Sequence, residues 1–246
     1  MTAMARHTVP ARRWFLALSI ACAVAALAAL PQPGAAAVGP PTKTLSWSAR
    51  VLAPTAVRTR PDRASKAIGV LQTTAPLAGG PMGLLVLERR VVGKQEWVRL
   101  LLPRRPNGTS GWVVSDVLRF RENPMRIVID QSERITYVYR RGLLVLKVRN
   151  AVGTAQTPTP FGRFAIAEKI PAPPNGFLGP VVMPTTGFSE KLNEYAGGNG
   201  RFALHGTSLP ALIGTRASHG CIRHRNDAIL RISHLVTVGT PVVIRP

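Results

Sequence analysis

Prolines at alternate positions in Thr157-Pro158-Thr159-Pro160-Phe161-Gly162 exclude a helix there. A proline lacks the amide hydrogen that a helix needs, and it pushes the residue before it toward extended geometry. Similar punctuation runs through most of the chain. Between 45 and 121 the apolar runs are short and separated by turn residues. Ala56-Val57-Arg58-Thr59-Arg60 alternates and stops at Pro61-Asp62, 67–71 is apolar around Gly69, and the runs 84–87 and 97–102 follow. Asn107-Gly108 is a hairpin signal, and Gly111-Trp112-Val113-Val114 reads as the returning strand. Strands this short, spaced by such turns, predict a small β-barrel rather than a helical unit.

Arg121-Glu122-Asn123-Pro124 marks a boundary. Beyond it 127–130, 135–139, 143–148 and 164–167 read as strands, and no long helical period occurs before Ala203. The stretch 171–200, rich in proline and glycine, is too long for a simple connection and is a candidate lid over a site. One helix is expected, 226–235, with Ala228, Ile229, Ile232 and Leu235 on one face and a polar start at Asn226-Asp227. The fold class is therefore mostly β: a small barrel over 47–121, then a β-rich domain over 125–245 with one short C-terminal helix.

The first residues are of another kind. Arg6, Arg12 and Arg13 precede an uncharged apolar run, 14–30, which Pro31, Gln32, Pro33 and Gly34 break before Ala35-Ala36-Ala37. That is the layout of an export signal over 1–37, with 38–46 as a linker. An uncleaved anchor is the alternative. Arg12-Arg13 fits either a twin-arginine signal or an ordinary basic leader, and Cys22 sits poorly for a lipoprotein site because the apolar run continues past it.

The net charge of +21 is largely arginine. Such a charge ordinarily points to nucleic acid, but an exported protein does not meet DNA. Part of it fits the alanine, arginine, glycine and proline bias of a GC-rich genome. A basic surface outside the membrane would also draw the protein to an anionic wall polymer by screened attraction.

If the leader is removed, Cys221 is the single thiol of the mature chain. It has no disulfide partner and is either inert or reactive. His219 precedes it by two residues, and His205 stands further upstream in His205-Gly206-Thr207. An ordinary thiol is only about a few per cent thiolate at neutral pH. Lowering its pKa by about two units would make it mostly anionic, at roughly 1.4 kcal/mol per unit, and a nearby imidazolium could supply that. Spacing alone does not choose between the histidines. No carboxylate occurs between Tyr195 and Asn226 to orient the base, so a backbone carbonyl such as that of Gly206 is the substitute. Gly220 lets the chain turn tightly, and its N–H with that of Cys221 could form an oxyanion hole. Zinc held by His205, His219, Cys221 and either His224 or His234 matches no familiar spacing; no metal or cofactor is expected.

The order of the early strands resembles a bacterial Src-homology-three-like domain, through Val57-Arg58-Thr59-Arg60-Pro61, Ile68-Gly69-Val70-Leu71, Trp97-Val98-Arg99-Leu100 and Gly111-Trp112-Val113-Val114-Ser115-Asp116-Val117-Leu118. That resemblance implies wall-peptide binding, against which stands a plain spacer with Trp97 and Trp112 in its core. The later pattern is more specific. His205-Gly206-Thr207 followed by Ser218-His219-Gly220-Cys221-Ile222-Arg223 resembles the signature of the L,D-transpeptidases, with their YkuD-type catalytic domain. Residues 127–139 resemble its opening hairpin, 157–164 its TP-x-G-x-F segment and 238–244 its closing strand, although Phe161 stands where a smaller residue is common.

The resemblance implies a cysteine acyltransferase acting on peptidoglycan stem peptides in the periplasm or cell wall. Cys221 would be the nucleophile and His205 the proton acceptor and donor. His219 and Ser218 would support the thiol and the oxyanion site, with Gly220 and Gly206 beside them. Arg223 would fall near substrate, and Thr207 with it; a solvated Arg223 is the alternative. The competing readings are an L,D-carboxypeptidase, an NlpC-like wall hydrolase, and an inactive wall-binding protein. In NlpC-type enzymes the cysteine precedes its histidine, the reverse of the order here.

Overall fold

The computed structural model describes residues 37–194 and 197–246. The expectations for the export leader, its arginine pair and Cys22 lie outside the described residues. From Val38 to Pro246 the chain forms one compact unit.

The first sheet contains β1 (Ser46–Val51), β2 (Thr55–Arg58), β3 (Ala67–Leu71), β4 (Gly83–Val92), β5 (Gln95–Leu101), β6 (Ser110–Val114) and β7 (Leu118–Asn123), in the order β3-β2-β6-β5-β4-β1-β7. The start of β4 pairs with β1 and the remainder with β5, with a bulge between Val86 and Glu88 that turns the strand between its two partners. Val57, Leu84, Val86, Val98, Leu100 and Val113 fill the core beneath. The expected closed barrel is not formed. Its end strands β3 and β7 do not pair with each other among the described residues. Strand β1 begins at Ser46, so the first strand takes in the last residue of the expected linker.

The second part begins with a five-stranded sheet. Its members are β8 (Met125–Asp130), β9 (Ile135–Arg140) and β10 (Leu143–Arg149), and β11 (Val152–Gly153) then leaves it for another pairing. β12 (Gly162–Ala165) returns to the sheet. Next come β13 (Ile170–Pro171), β14 (Val181–Phe188), β15 (Arg201–His205), β16 (Arg216–Ser218) and β17 (Ile222–Arg223). Helix α1 (Asn226–Leu235) and β18 (Pro241–Arg245) complete the chain. The sheet orders are β10-β9-β8-β18-β12 and β13-β14-β15-β17, with β11 paired to β16. Ile127, Ile129, Met183, Leu204 and Ile222 fill the core between the sheets, and Ile229 and Ile232 of α1 join them. Fully burying one such side chain contributes about 1.5–3 kcal/mol. Among the described residues, the mostly β architecture with one α-helix, Asn226–Leu235, is the one expected from the sequence.

The segment 171–200 is less of a lid than its composition implied. Eight of its residues, Val181–Phe188, form β14, which is almost wholly buried. Pro184 is tolerated there because the pairing with β15 is irregular between Pro184 and Phe188.

The two parts share an interface. Alternation along β4 sends Leu84 and Val86 into the first core, while Leu85 packs with Leu101 and Ala165 in a separate cluster joined by Leu87. Asn123 Nδ2 donates to Thr240 Oγ1 across the junction at 2.9 Å.

Candidate active site

Strands β15 and β17 run parallel, with Leu204 opposite Ile222 and His205 opposite Arg223. Side chains alternate along a strand. Phe202, Leu204 and Ile222 therefore join the core, while Ala203, His205 and Arg223 line a groove together with Cys221, which stands just before β17, and with the edge of Phe202. The groove has a volume of about 740 Å³, and His219 also borders it. No Asp or Glu occurs among its lining residues.

His205 is buried, and its Nδ1 lies 2.6 Å from the carbonyl oxygen of Gly206. Burial lowers its pKa to about 4, helped by the charge of Arg223 and opposed by backbone hydrogen bonds with Gly206 and Leu178. Cys221 is half-buried. Burial pushes its thiol up, against a backbone hydrogen bond from Ala203 and the charge of Arg223. Burial acts against both charges of the expected thiolate–imidazolium pair and favours the neutral form of both side chains.

The loop carrying Cys221 is tied by Ser218. Its hydroxyl donates to the carbonyl of Cys221 at 2.5 Å and accepts the N–H of Gly220 at 3.1 Å. The backbone carbonyl of Ser218 accepts from Thr154 N–H at 3.1 Å and from the Thr157 hydroxyl at 3.2 Å. The N–H of Gly220 is therefore taken, and the expected oxyanion pair with Cys221 is not available as drawn. Gly220 has φ +112°, a conformation that favours glycine.

Thr207 is also placed differently from the expectation. It is buried and does not line the groove; its N–H donates to Asn226 Oδ1 at 2.8 Å and its hydroxyl accepts from Leu209 N–H at 3.0 Å. Asn226 holds the turn after His205, a role that its place at the helix start did not reveal. Phe161 is exposed and lies outside the groove.

Arg223 is buried, and its guanidinium lies 5.1 Å from the Phe177 ring centroid. Its Nε is buried without a hydrogen-bond partner. His224 follows, fully buried, with Nε2 2.8 Å from Thr136 Oγ1, which also accepts from Asn150 Nδ2 at 2.8 Å. The backbone N–H of His224 donates to the carbonyl of His205 at 2.9 Å. This arrangement leaves His224 beneath the groove. No group of histidine, cysteine, aspartate and glutamate residues with the makings of a metal site occurs among the described residues.

Residues 124–244 match the model of the L,D-transpeptidase catalytic domain, YkuD. A putative L,D-transpeptidase YkuD of Bacillus licheniformis is 33% identical over 123 residues, covering 50% of this chain and 67% of that protein. A probable L,D-transpeptidase YbiS of Escherichia coli is 33% identical over 134 residues, covering 47% of this chain; the match spans only 43% of that protein's length. Among solved structures, an L,D-transpeptidase from Mycobacterium smegmatis is 17% identical with a TM-score of 0.39, over 62% of this chain and 91% of that one. One from Mycobacterium tuberculosis is 14% identical with a TM-score of 0.41, over 62% and 90%.

Proposed function

Because the chain belongs to the L,D-transpeptidase family through its YkuD-type catalytic domain, we propose that it is a cysteine acyltransferase acting on peptidoglycan stem peptides. The observation that carries this reading is the groove, which is lined by His205 of β15, by Cys221 just before β17 and by the buried Arg223, with no acidic residue in its lining.

In this reading Cys221 Sγ attacks the carbonyl between the third residue of a tetrapeptide stem and its terminal D-alanine. The Sγ–C bond forms as His205 takes the thiol proton. The tetrahedral intermediate then collapses, the C–N bond breaks, and His205 returns the proton to the departing D-alanine amine. The side-chain amine of a diamino acid on a second stem attacks the thioester, giving a new amide and the free thiol. The carbonyl of Gly206 holds Nδ1 of His205, leaving Nε2 to exchange the proton. The N–H of Cys221 stabilises the oxyanion, with Ser218 fixing the loop that presents it. His219 supports the thiol from the groove edge, and Arg223 pairs with a stem carboxylate.

Water and amine compete for the same acyl-enzyme, so hydrolysis is the second reading that this geometry supports. The setting proposed is outside the cytoplasmic membrane. The net charge of +21 would hold the protein to anionic wall polymers in a salt-dependent way. The test is intact-mass analysis after exposure to a carbapenem, an electrophile that mimics the donor carbonyl. A single adduct is expected on the wild type and none on Cys221→Ala; an adduct persisting in that variant overturns the assignment. Products formed with and without a diamino-acid acceptor separate transfer from hydrolysis.

A further inference from the structure

The first sheet reaches the groove at two places. The turn before β4 places Pro76 and Leu77 in its lining. The backbone N–H groups of Leu77 and Ala78 donate to Glu168 Oε2 at 3.0 and 2.6 Å. The other oxygen of that carboxylate pairs with Arg201 at 3.0 Å, and both side chains are nearly inaccessible.

At the second place, the hairpin between β5 and β6 grips the two ends of the groove rim that joins β14 to β15. Arg105 donates to the carbonyls of Ser189 at 2.6 Å, Leu192 at 2.9 Å and Asn199 at 3.4 Å. Asn107 accepts the N–H of Phe188 and donates to its carbonyl, each at 2.8 Å, as a neighbouring strand would. The Phe188 ring centroid lies 4.9 Å from the Arg105 guanidinium and 5.5 Å from that of Arg201. The contacts thus run without a break from Arg105 through Phe188, Arg201 and Glu168 to Leu77. Gly200, at φ +75°, closes the ring: a Cβ there would lie 2.7 Å from an Arg105 nitrogen and would strike the Leu192 carbonyl.

We propose that the N-terminal sheet is a working wall of the acyl-donor groove, in which Arg105 is a positioning residue for the rim and Leu77 touches the donor stem. The proposal rests on the acyl-transfer reading for what the groove holds. An arginine planar enough to bind three carbonyls fixes the rim at both ends, and small displacements of positioning elements have large effects on how a substrate is held. The sheet then sets donor affinity and leaves the thiol's own reactivity to residues beneath it.

The test uses Arg105→Ala, Arg105→Lys and Asn107→Ala in the full chain. Three quantities are measured: KM and kcat for D-alanine release from a stem tetrapeptide, alkylation of Cys221 by iodoacetamide, and cleavage by trypsin at exposed Lys191 on the rim. For Arg105→Ala the expected result is a KM raised roughly tenfold or more, with kcat and alkylation within about twofold and faster cleavage at Lys191. Arg105→Lys, which keeps the charge over Phe188 but loses the fork, should fall between it and the wild type. Asn107→Ala should give the same pattern more weakly, and it serves alone if Arg105→Ala does not fold.

An unchanged KM overturns the proposal. So does a parallel fall of kcat, alkylation and melting temperature, which marks general loosening. If the wild type neither releases D-alanine nor forms an acyl-enzyme, the acyl-transfer reading fails on its own. Cleavage at Lys191 then decides the rim's anchoring: faster in the variants supports it, and unchanged overturns it.

Discussion

The Nδ1 nitrogen of His205 lies 2.6 Å from the carbonyl oxygen of Gly206, its neighbour in the chain. A carbonyl only accepts, so Nδ1 carries the proton and Nε2 keeps its lone pair, as the proposed base requires. With its pKa lowered to about 4 by burial, the ring stays neutral across the range in which an ordinary histidine titrates. The His205 imidazole resonances should therefore show no titration between pH 5 and 8, and acylation of Cys221 should show no inflection near 6.5 attributable to His205. A His205 resonance that titrates near 6.5 would refute the neutral-base picture. Stability follows the same linkage. The unfolded chain takes up a proton at about pH 6.5 and the folded chain only near 4, so stability present above 6.5 is lost as pH falls through that window. The share from His205 is on the order of 3 kcal/mol, read from urea unfolding at pH 7 and pH 4.

Ser218→Ala should reduce acylation of Cys221 more than it reduces stability. The hydroxyl makes two of the bonds that shape the Cys221 loop, to the Cys221 carbonyl and from the Gly220 N–H. Losing both leaves the chain able to fold at a cost of about 1–3 kcal/mol but lets the thiol drift. A loss of roughly 10- to 100-fold in acylation rate is expected. A rate within twofold of wild type would show that the loop is held by its other contacts, those of the Ser218 carbonyl to Thr154 and Thr157.

Much of this was open to a sequence reader, for identifiable reasons. The helix 226–235 was legible because its apolar residues recur on one face and nothing breaks it. Cys221 and His205 stood out because few residue types carry such chemistry, and both line one groove. The contacts that place them were hidden. Asn226 reads as a helix start, yet its amide oxygen holds the turn after His205. Gly220 reads as a freed N–H, but a hydroxyl two residues earlier captures it. Strand β14 was hidden by its own Pro184 and Gly187 and by the prolines and glycines around it, since local composition does not record that its neighbour β15 will bury it. Arg105 gives no signal at all, because its partners are backbone carbonyls far along the chain.

Thr136 supports the site from beneath. Its hydroxyl faces His224 Nε2 and Asn150 Nδ2, all three side chains being buried. Thr136→Val keeps the shape and removes the oxygen, which strands two polar groups at about 1–3 kcal/mol each. Urea unfolding should show a loss of about 2–6 kcal/mol for Val and much less for Thr136→Ser. Iodoacetamide alkylation of Cys221 should stay within a few-fold, because His224 does not border the groove. Equal stability in the Val variant would mean that this network contributes nothing net.

Gly220, within the Cys221 loop, and Gly153, paired with Ser218 at its start, should fail in opposite ways when changed to alanine. A Cβ on Gly220 would meet nothing closer than the Pro158 carbonyl at 3.6 Å, so there is room; the obstacle is φ +112°. That strain costs roughly 1–3 kcal/mol and is relieved by twisting the peptide that presents Cys221. Gly153 has an ordinary φ but no space. Its Cβ would collide with the Thr157 carbonyl and lie 2.5 Å from Thr159 N, in the segment that also bonds the Ser218 carbonyl. Relief there means displacing 157–159 as a body, and overpacking of this kind costs about 1–3 kcal/mol or more. Gly220→Ala should therefore lose acylation by tenfold or more while its melting temperature falls only a few degrees. Gly153→Ala should show the larger drop in melting temperature, with the activity of its folded fraction better preserved. Finding the two orders reversed would mean that the twist at Gly220 is a structural necessity and that the segment beneath it sets the position of the thiol.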